Sequence, residues 1–332
     1  MQTEDKEYLL ILSQIVRDSL MTPPVCSVCH KHPAFYFRKY SGERLCKKCF
    51  TASVEVKVRA TITRHHMLKF DDHLAVAVSG GKDSLTLLYI LAKLRKYRPK
   101  TRLTAVTVDE GIKGYRDEAL SIASELCKNL EVPHHIVSFK QLYGFTLDEI
   151  VEKAQRSGQV KLTPCAYCGV LRRRAINAGA REVKATKVAT GHTLDDEAQT
   201  VLMNILRGDI ARLSKEAPIT AEVHPLFVQK IKPLCEIPEK ESALYAYAKK
   251  IAFQDTPCPY ANEALRNDIR GMLNRMEEKH AGTKFTVQRA FEKLRPAITE
   301  TAKKEDFKIC RECGEPSTAD LCKACEMLNS LR

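Results

Sequence analysis

From residue 73 onward the apolar positions of the chain switch back and forth between two periods. Short apolar runs at residues 73–78, 103–108, around 135–137 and at 187–189 read as buried strands. Between them, apolar residues at helical spacing predict helices over 84 to about 95, over 115–129, after Cys168 and from about Leu194. Strand and helix in strict alternation predict an α/β fold, a doubly wound and mostly parallel sheet with helices on both faces. Beyond Gln254 no further strand is expected; residues 262–278 and 287–304 carry helical patterns. Upstream of the core, Leu9, Leu12, Ile15, Val16 and Leu20 predict an amphipathic helix over residues 4–20, which Pro23 and Pro24 stop. A second helical pattern covers residues 50–69. Residues 26–49 hold too few aliphatic side chains to build a core of their own, so a metal is expected to organise them.

These patterns divide the chain into residues 1–70 (a helix, a cysteine module and a linker helix), a core at 71–255, a helical region at 256–306 and a second cysteine module at 307–332. No internal repeat or low-complexity stretch interrupts them.

Charge narrows the partner. Lys and Arg number 54 against 41 Asp and Glu, a formal charge of +13 with a pI near 9.1, which attracts a polyanion. A nucleic acid fits better than a membrane surface, since the mean hydropathy is -0.29, tryptophan is absent and no long apolar run exists. Residues 1–6 are acidic and polar, unlike the start of a signal peptide, and a cytoplasmic location is expected.

Thirteen cysteines in a reducing compartment point to metal or redox chemistry. Cys26 and Cys29 are followed after sixteen residues by Cys46 and Cys49, and Cys310 and Cys313 after eight by Cys322 and Cys325. Each set has the spacing of a closed tetrahedral zinc site. Such modules can grip RNA through basic neighbours or serve folding alone. Cys127 and Cys235 sit in apolar surroundings and read as small buried hydrophobes.

The first core strand runs into Ser79-Gly80-Gly81-Lys82-Asp83-Ser84. Glycines there let backbone amides approach phosphate oxygens at the start of a helix. The turn lacks the spacing of a Walker A loop; it resembles the SGGxDS pattern of the PP-loop ATP pyrophosphatases, which cleave ATP between its α and β phosphates. A second strand-to-helix junction, Ala189-Thr190-Gly191-His192-Thr193-Leu194-Asp195-Asp196-Glu197, should lie at the same sheet edge. Asp195 and Asp196 are either helix-start charges or, for one of them, an oxygen ligand for the magnesium of ATP.

Cys165 and Cys168 open a basic helix that continues Arg172-Arg173-Arg174, a setting expected to favour thiolates. Cys258 stands between Pro257 and Pro259, just ahead of another helix. Three cysteines are one short of a closed zinc or cubane site. An iron-sulfur cluster with one open iron, a persulfide-carrying pair and a zinc completed by histidine all remain open. Arg181, Arg207, Arg212, Arg266 and Arg270 flank the same motifs; singly each reads as a surface charge, together as a phosphate-binding field.

With SGGKDS, PCAYCG, ATGHTLDDE and TPCPY in this order, the sequence resembles the TtcA/TtuA group of tRNA 2-thiolation enzymes from residue 26 to residue 325. VDEGIKGYRDEAL, CGVLRRRAINAGAREVKAT, TVLMNILRGDIARLSK and the last cysteine module are most similar to archaeal NcsA and the eukaryotic cytosolic thiouridylase. The resemblance implies ATP contacts from Ala77, Val78, Ser79, Asp83, Val108, Gly191 and Asp196, and a 4Fe-4S cluster on Cys165, Cys168 and Cys258. It also implies a homodimer and the wobble uridine of tRNA as target, with the T-loop uridine or a cluster-free persulfide route as alternatives. The sulfur donor would be free sulfide or a ubiquitin-like carrier. TtuA proteins have lysine where Arg172 stands; arginine keeps the charge but is a poor proton carrier, which leaves it a positional role. The expected reaction adenylates the uridine C2 oxygen and replaces it with sulfur. Lysidine- or amide-forming pyrophosphatases have no use for these thiols, and a purely RNA-binding zinc protein has no use for an intact nucleotide turn.

Overall fold

The computed structural model describes residues 24–156, 162–261, 264–302 and 306–331; the helix expected over residues 4–20 lies outside them. The chain divides between Glu55 and Val56 into two compact units. In the first, β1 (Tyr36–Arg38) pairs antiparallel with β2 (Glu43–Leu45). Gly42 closes their turn at φ 71, a left-handed conformation that favours glycine. The core is correspondingly slight: Phe50, at the start of α1 (Lys47–Arg64), is fully buried with its ring 5.2 Å from that of Tyr36.

The second unit is built on five parallel strands: β3 (His73–Ala77), β4 (Arg102–Asp109), β5 (His134–Ser138), β6 (Lys187–Ala189) and β7 (Gln229–Ile231), in the order β5-β4-β3-β6-β7. Helix α2 (Lys82–Arg95) connects β3 to β4, and α3 (Arg116–Asn129) connects β4 to β5. From β5 the chain returns through the short helices α4 (Phe139–Tyr143) and α5 (Leu147–Arg156) and the long α6 (Pro164–Glu182) to β6. It then continues through α7 (Leu194–Leu206) and α8 (Ile210–Leu213) to β7. Right-handed crossovers place α2 and α3 on one face and α6 and α7 on the other, because the direction of travel reverses after β5. The expected α/β class and doubly wound sheet are therefore present. Their consequence is a topological switch between β3 and β6, the crevice where such sheets bind ligands.

Burial explains why these elements hold. Leu74, Ala75 and Val76 of β3 are covered on both faces, and α2 buries Leu85, Leu87, Leu88, Ile90 and Leu91, each contributing roughly 1.5–3 kcal/mol. Gly179 lets α6 approach the sheet closely, since a Cβ there would stand 2.5 Å from Val137 Cγ2. Beyond the sheet, α9 (Glu239–Lys249) packs on α2, and α10 (Ala264–Lys279) and α11 (Thr283–Thr301) pack on α7.

The expectation that strands end at Gln254 needs correction. The last module contains a two-residue antiparallel pair, β8 (Lys308–Ile309) with β9 (Pro316–Ser317), before α12 (Lys323–Asn329). Such strands are too short to show a period, because the cysteines rather than apolar side chains bring them together. No helix among the described residues is long and apolar enough to cross a membrane.

Candidate active site

At the switch, Ala77 and Val78 end β3 and the glycine turn begins. Ser84 organises that turn: its Oγ accepts from Ser79 N at 3.0 Å and donates to Gly81 O at 2.9 Å. The Ser79 hydroxyl lies 3.1 Å from it and, with that proton committed, donates to it. Gly80 has φ 88, and a Cβ on it would meet Ala119 Cβ at 2.6 Å. Gly81 caps α2 without any side-chain hydrogen bond to the helix, so the first-turn amides are left for a ligand, as an anion site requires.

Asp83 stands in this turn with Oδ1 buried and without a hydrogen-bond partner. Burial pushes its carboxyl up to about 6, although Lys82 pulls the other way. Burial opposes the charge on Lys82 too, but the carboxylates of Asp83 at 3.2 Å and Glu239 at 2.6 Å prevail and hold its ammonium protonated. An unpartnered carboxylate oxygen beside a glycine turn at a helix start fits a hard cation brought by a nucleotide.

The second junction touches the first. A Cβ on Gly191 would lie 2.9 Å from Ser84 N and 3.0 Å from the Asp83 carbonyl carbon, so the two turns are in backbone contact. Thr193 caps α7 in a reciprocal box with Asp196, whose Oδ2 accepts from Thr193 N at 2.9 Å. Asp196 Oδ1 is directed elsewhere, 3.9 Å from an Arg266 nitrogen. Asp195 is a structural anchor: it is buried, paired with Lys284 of α11, and accepts from Glu239 N at 2.7 Å. Of the two carboxylates considered for magnesium, Asp195 is thus already occupied. The carbonyl of Val108, at the end of β4, accepts from Arg116 Nη2 at 2.5 Å.

The internal thiols lie beyond the turn. Thr163 caps α6, and Cys165 and Cys168 fall in its first two turns. Cys165 Sγ donates to the Tyr260 carbonyl at 3.0 Å, tying α6 to the loop that carries Cys258. Tyr260 fixes that loop by donating its hydroxyl to Asp148 Oδ1 at 2.7 Å. Cys168 and Cys258 share one apolar cluster with Leu171, Tyr115 and Tyr260.

The expectation of a favoured thiolate is overturned at Cys168. Burial pushes its thiol up to about 11, more than Arg172, donating to Sγ at 3.0 Å, pulls it down. A helix start and an arginine cannot offset desolvation in this apolar setting. Such a thiol ionises when a metal takes it up.

Among the described residues, only Cys26, Cys29, Cys46, Cys49 and Cys310, Cys313, Cys322, Cys325 draw their sulfurs within 4.8 Å of one another. Burial opposes ionisation of Cys26 and Cys310, but backbone amides win and hold both down at about 6, and backbone amides of Lys31 and His32 lower Cys29 as well. Burial raises Cys49 to about 12. Four ionised sulfurs at once need a metal, which the spacing accommodates. Cys165, Cys168 and Cys258 do not form such a set among the described residues. Cys127 and Cys235 are buried and inert.

Several contributors escaped the sequence reading. Glu110 and Arg116 are buried together, with Arg116 Nε 2.8 Å from Glu110 Oε2. Gln254 N donates to Gly80 O at 2.9 Å. Glu110 carried a signal, an acidic residue directly after the apolar β4 at the sheet edge that holds the glycine turn. Among the arginines, Arg173, Arg207 and Arg270 are exposed as expected, while Arg181 pairs with Glu315 and Arg212 with Asp209.

Fold and turn together define a PP-loop domain, and the sequence profile of that domain matches residues 51–277. The relatives are more specific. The tRNA 2-thiolation protein NcsA of Haloferax volcanii is 35% identical, covering 92% of this chain and 98% of its own. Cytoplasmic tRNA 2-thiolation protein 1 of Chlamydomonas reinhardtii is 38% identical over 94% of this chain and 86% of its own. The solved U34-tRNA thiolase NcsA of Methanococcus maripaludis, which carries its 4Fe-4S cluster, superimposes with a TM-score of 0.79 at 36% identity, covering 94% of this chain and 97% of that one. The chain belongs to the PP-loop tRNA 2-thiolation family.

Proposed function

We propose that this chain is an ATP-dependent tRNA thiolase that converts the wobble uridine to 2-thiouridine. One observation carries the reading: Gln254, four residues ahead of Cys258, hydrogen-bonds to Gly80, so the loop of the third thiol is anchored to the nucleotide turn. A nucleotide on that turn is thereby kept beside the thiol site, as activation followed by sulfur transfer requires.

The residues divide the work. The amides of residues 79–84 and the start of α2 receive the phosphates, Lys82 adds charge, and Asp83 Oδ1 with the outward oxygen of Asp196 offers ligands to magnesium. The uridine C2 oxygen attacks the α-phosphorus, pyrophosphate departs, and the C2–O bond becomes the bond to a good leaving group, AMP. A base extruded from its stack can reach such a recessed site. Cys165, Cys168 and Cys258 would hold a 4Fe-4S cluster, which when bound would supply sulfide-level sulfur for C2. Attack at C2 expels AMP and leaves sulfur in place of oxygen. Free sulfide or a thiocarboxylated ubiquitin-like carrier supplies that sulfur, and each terminal four-cysteine set holds a structural zinc.

The test is anaerobic: iron-reconstituted protein, ATP, sulfide and unmodified tRNA, followed by nucleoside mass spectrometry of mapped fragments. The reading expects 2-thiouridine at the wobble position with AMP formed alongside. Thiolation in the T loop would overturn the assignment of the base. Thiolation by iron-free protein would overturn the role of the cluster.

A further inference from the structure

A continuous chain of charge runs from the nucleotide turn to the thiol site. Arg116, at the start of α3, donates from Nη1 to Ser79 O at 2.9 Å and from Nη2 to Val108 O at 2.5 Å. Ser79 opens the glycine turn after β3 and Val108 lies near the end of β4, so Arg116 ties the turn to the adjacent strand. Its Nε meets Glu110 Oε2 at 2.8 Å. The other carboxylate oxygen, Oε1, meets Arg172 Nε at 2.6 Å, and Arg172 Nη2 donates to Cys168 Sγ at 3.0 Å. The side chains of Glu110 and Arg116 are 3% and 5% exposed, so solvent does not screen the inner pair.

One carboxylate between two guanidinium forks is an expensive device if its purpose is stability alone. Apolar side chains of the same size often serve a core as well or better. What the triad supplies is geometry. Each arginine pairs its Nε with Glu110 and turns its terminal nitrogens to a functional element, an arrangement the single ammonium of lysine cannot reproduce.

We propose that Glu110 is a positioning residue that keeps the nucleotide turn and Cys168 in register, through Arg116 on one side and Arg172 on the other. The inference rests on the thiolase reading for the purpose of that register, but its central readouts need no tRNA. If the register exists, damage at either end is felt at the other. Among the described residues Arg172 pairs with Glu110 and Cys168 rather than with the nucleotide turn, yet Arg172→Met should weaken ATP binding. Arg116 touches no cysteine, yet Arg116→Lys should loosen the thiol site.

Three variants, Arg116→Lys, Arg172→Met and Glu110→Gln, are compared with the parent as full-length, zinc-loaded and iron-reconstituted protein. ATP affinity is measured by calorimetry, and iron retention by the rate of loss to a chelator. Arg172→Met is expected to weaken ATP binding about fivefold, and Arg116→Lys to speed iron loss about fivefold to tenfold, with zinc content at the parental value. In a Glu110→Gln background neither arginine substitution should add to the effect at the far site. Should Glu110→Gln fail to fold, the two cross-effects decide alone. Confinement of each arginine variant to its own end, ATP for Arg116 and iron for Arg172, would overturn the proposal. A parent that takes up no iron refutes the cluster instead; the ATP measurement on Arg172→Met and the alkylation rate of Cys168 in Arg116→Lys then still test the register.

Discussion

Arg174 of α6 points its Nη1 at Cys322 Sγ from 3.6 Å and at Cys325 Sγ from 3.8 Å. Its guanidinium also lies 5.6 Å from the centroid of the Tyr143 ring. Farther along the same helix Arg181 pairs with Glu315. The last four-cysteine set is therefore docked onto the helix whose first turns carry Cys165 and Cys168. Four thiolates around one zinc would carry a net negative charge, which a partly buried arginine on two of them would balance.

It follows that Arg174→Met should release one of the two zincs about tenfold faster than the parent, the range expected when an outer partner of a metal site is removed. Release to a chromogenic chelator measures it: one fast phase from the C-terminal set and one unchanged phase from the N-terminal set. Two parental phases would show that Arg174 does not support the site. Cys26→Ser and Cys322→Ser should lower the folding yield, because closed zinc sites supply folding energy directly.

Asp83 gives a pH signature. Its carboxyl ionises at about 6 in the folded chain against an ordinary 3.8, with burial the main cause. The charged form is thus disfavoured by folding: the cost is absent below about pH 4, grows between pH 4 and 6, and is complete above that. Asp83→Asn removes it. The variant should match the parent at pH 4 and exceed it by roughly 2–3 kcal/mol at pH 7.5 in denaturant titrations without nucleotide or divalent cation. It should also lose tRNA-dependent AMP release. A stability gap that stays constant with pH would mean that Asp83 is not the titrating group.

Which parts of this arrangement were legible in the sequence follows from the forces that hold them. The strands β3, β4 and β6 are covered on both faces and read as apolar runs, and the zinc sets read from ligands close together in the chain. By contrast β7 is an edge strand of three residues, Gln-Lys-Ile, with only Ile231 buried, so neither period nor composition announces it. Glu110, Arg116 and Arg172 are joined by tertiary approach alone, and no spacing rule connects them. The acidity of Cys168 was misjudged for a related reason. Its charged neighbours are visible in the sequence, but the burial that outweighs them is a property of the fold.

Backbone contact between the two nucleotide turns makes Gly191 a steric test. A methyl group there would press on Ser84 N and the Asp83 carbonyl carbon, atoms of the α2 start that cannot yield like the end of a flexible side chain. Gly191→Ala should push the turns apart and raise the KM for ATP about tenfold or more, since misplacement by an ångström can cost two orders of magnitude. Iron and zinc contents should stay at parental values, because the thiols lie on other elements. An unchanged KM would separate the second junction from the nucleotide.

Cys258 provides the sharpest discrimination, because no local spacing joins it to Cys165 and Cys168, and a buried small side chain would explain it equally well from sequence. In the fold its loop is held at both ends, by Gln254 on the nucleotide turn and by Tyr260, whose carbonyl accepts from Cys165 and whose hydroxyl donates to Asp148. Removing one sulfur from such a loop leaves those anchors in place. Cys258→Ala should therefore keep both zincs, ATP affinity and melting temperature, yet lose iron, the visible absorbance of the cluster and thiolated tRNA together, since two thiols cannot hold a stable cubane. Cys127→Ala, which removes a thiol that burial raises to about 11 in α3, is the control and should retain all three. A Cys258→Ala protein with a full iron complement and normal thiolation would exclude Cys258 as a ligand and shift the sulfur chemistry to Cys165 and Cys168 alone.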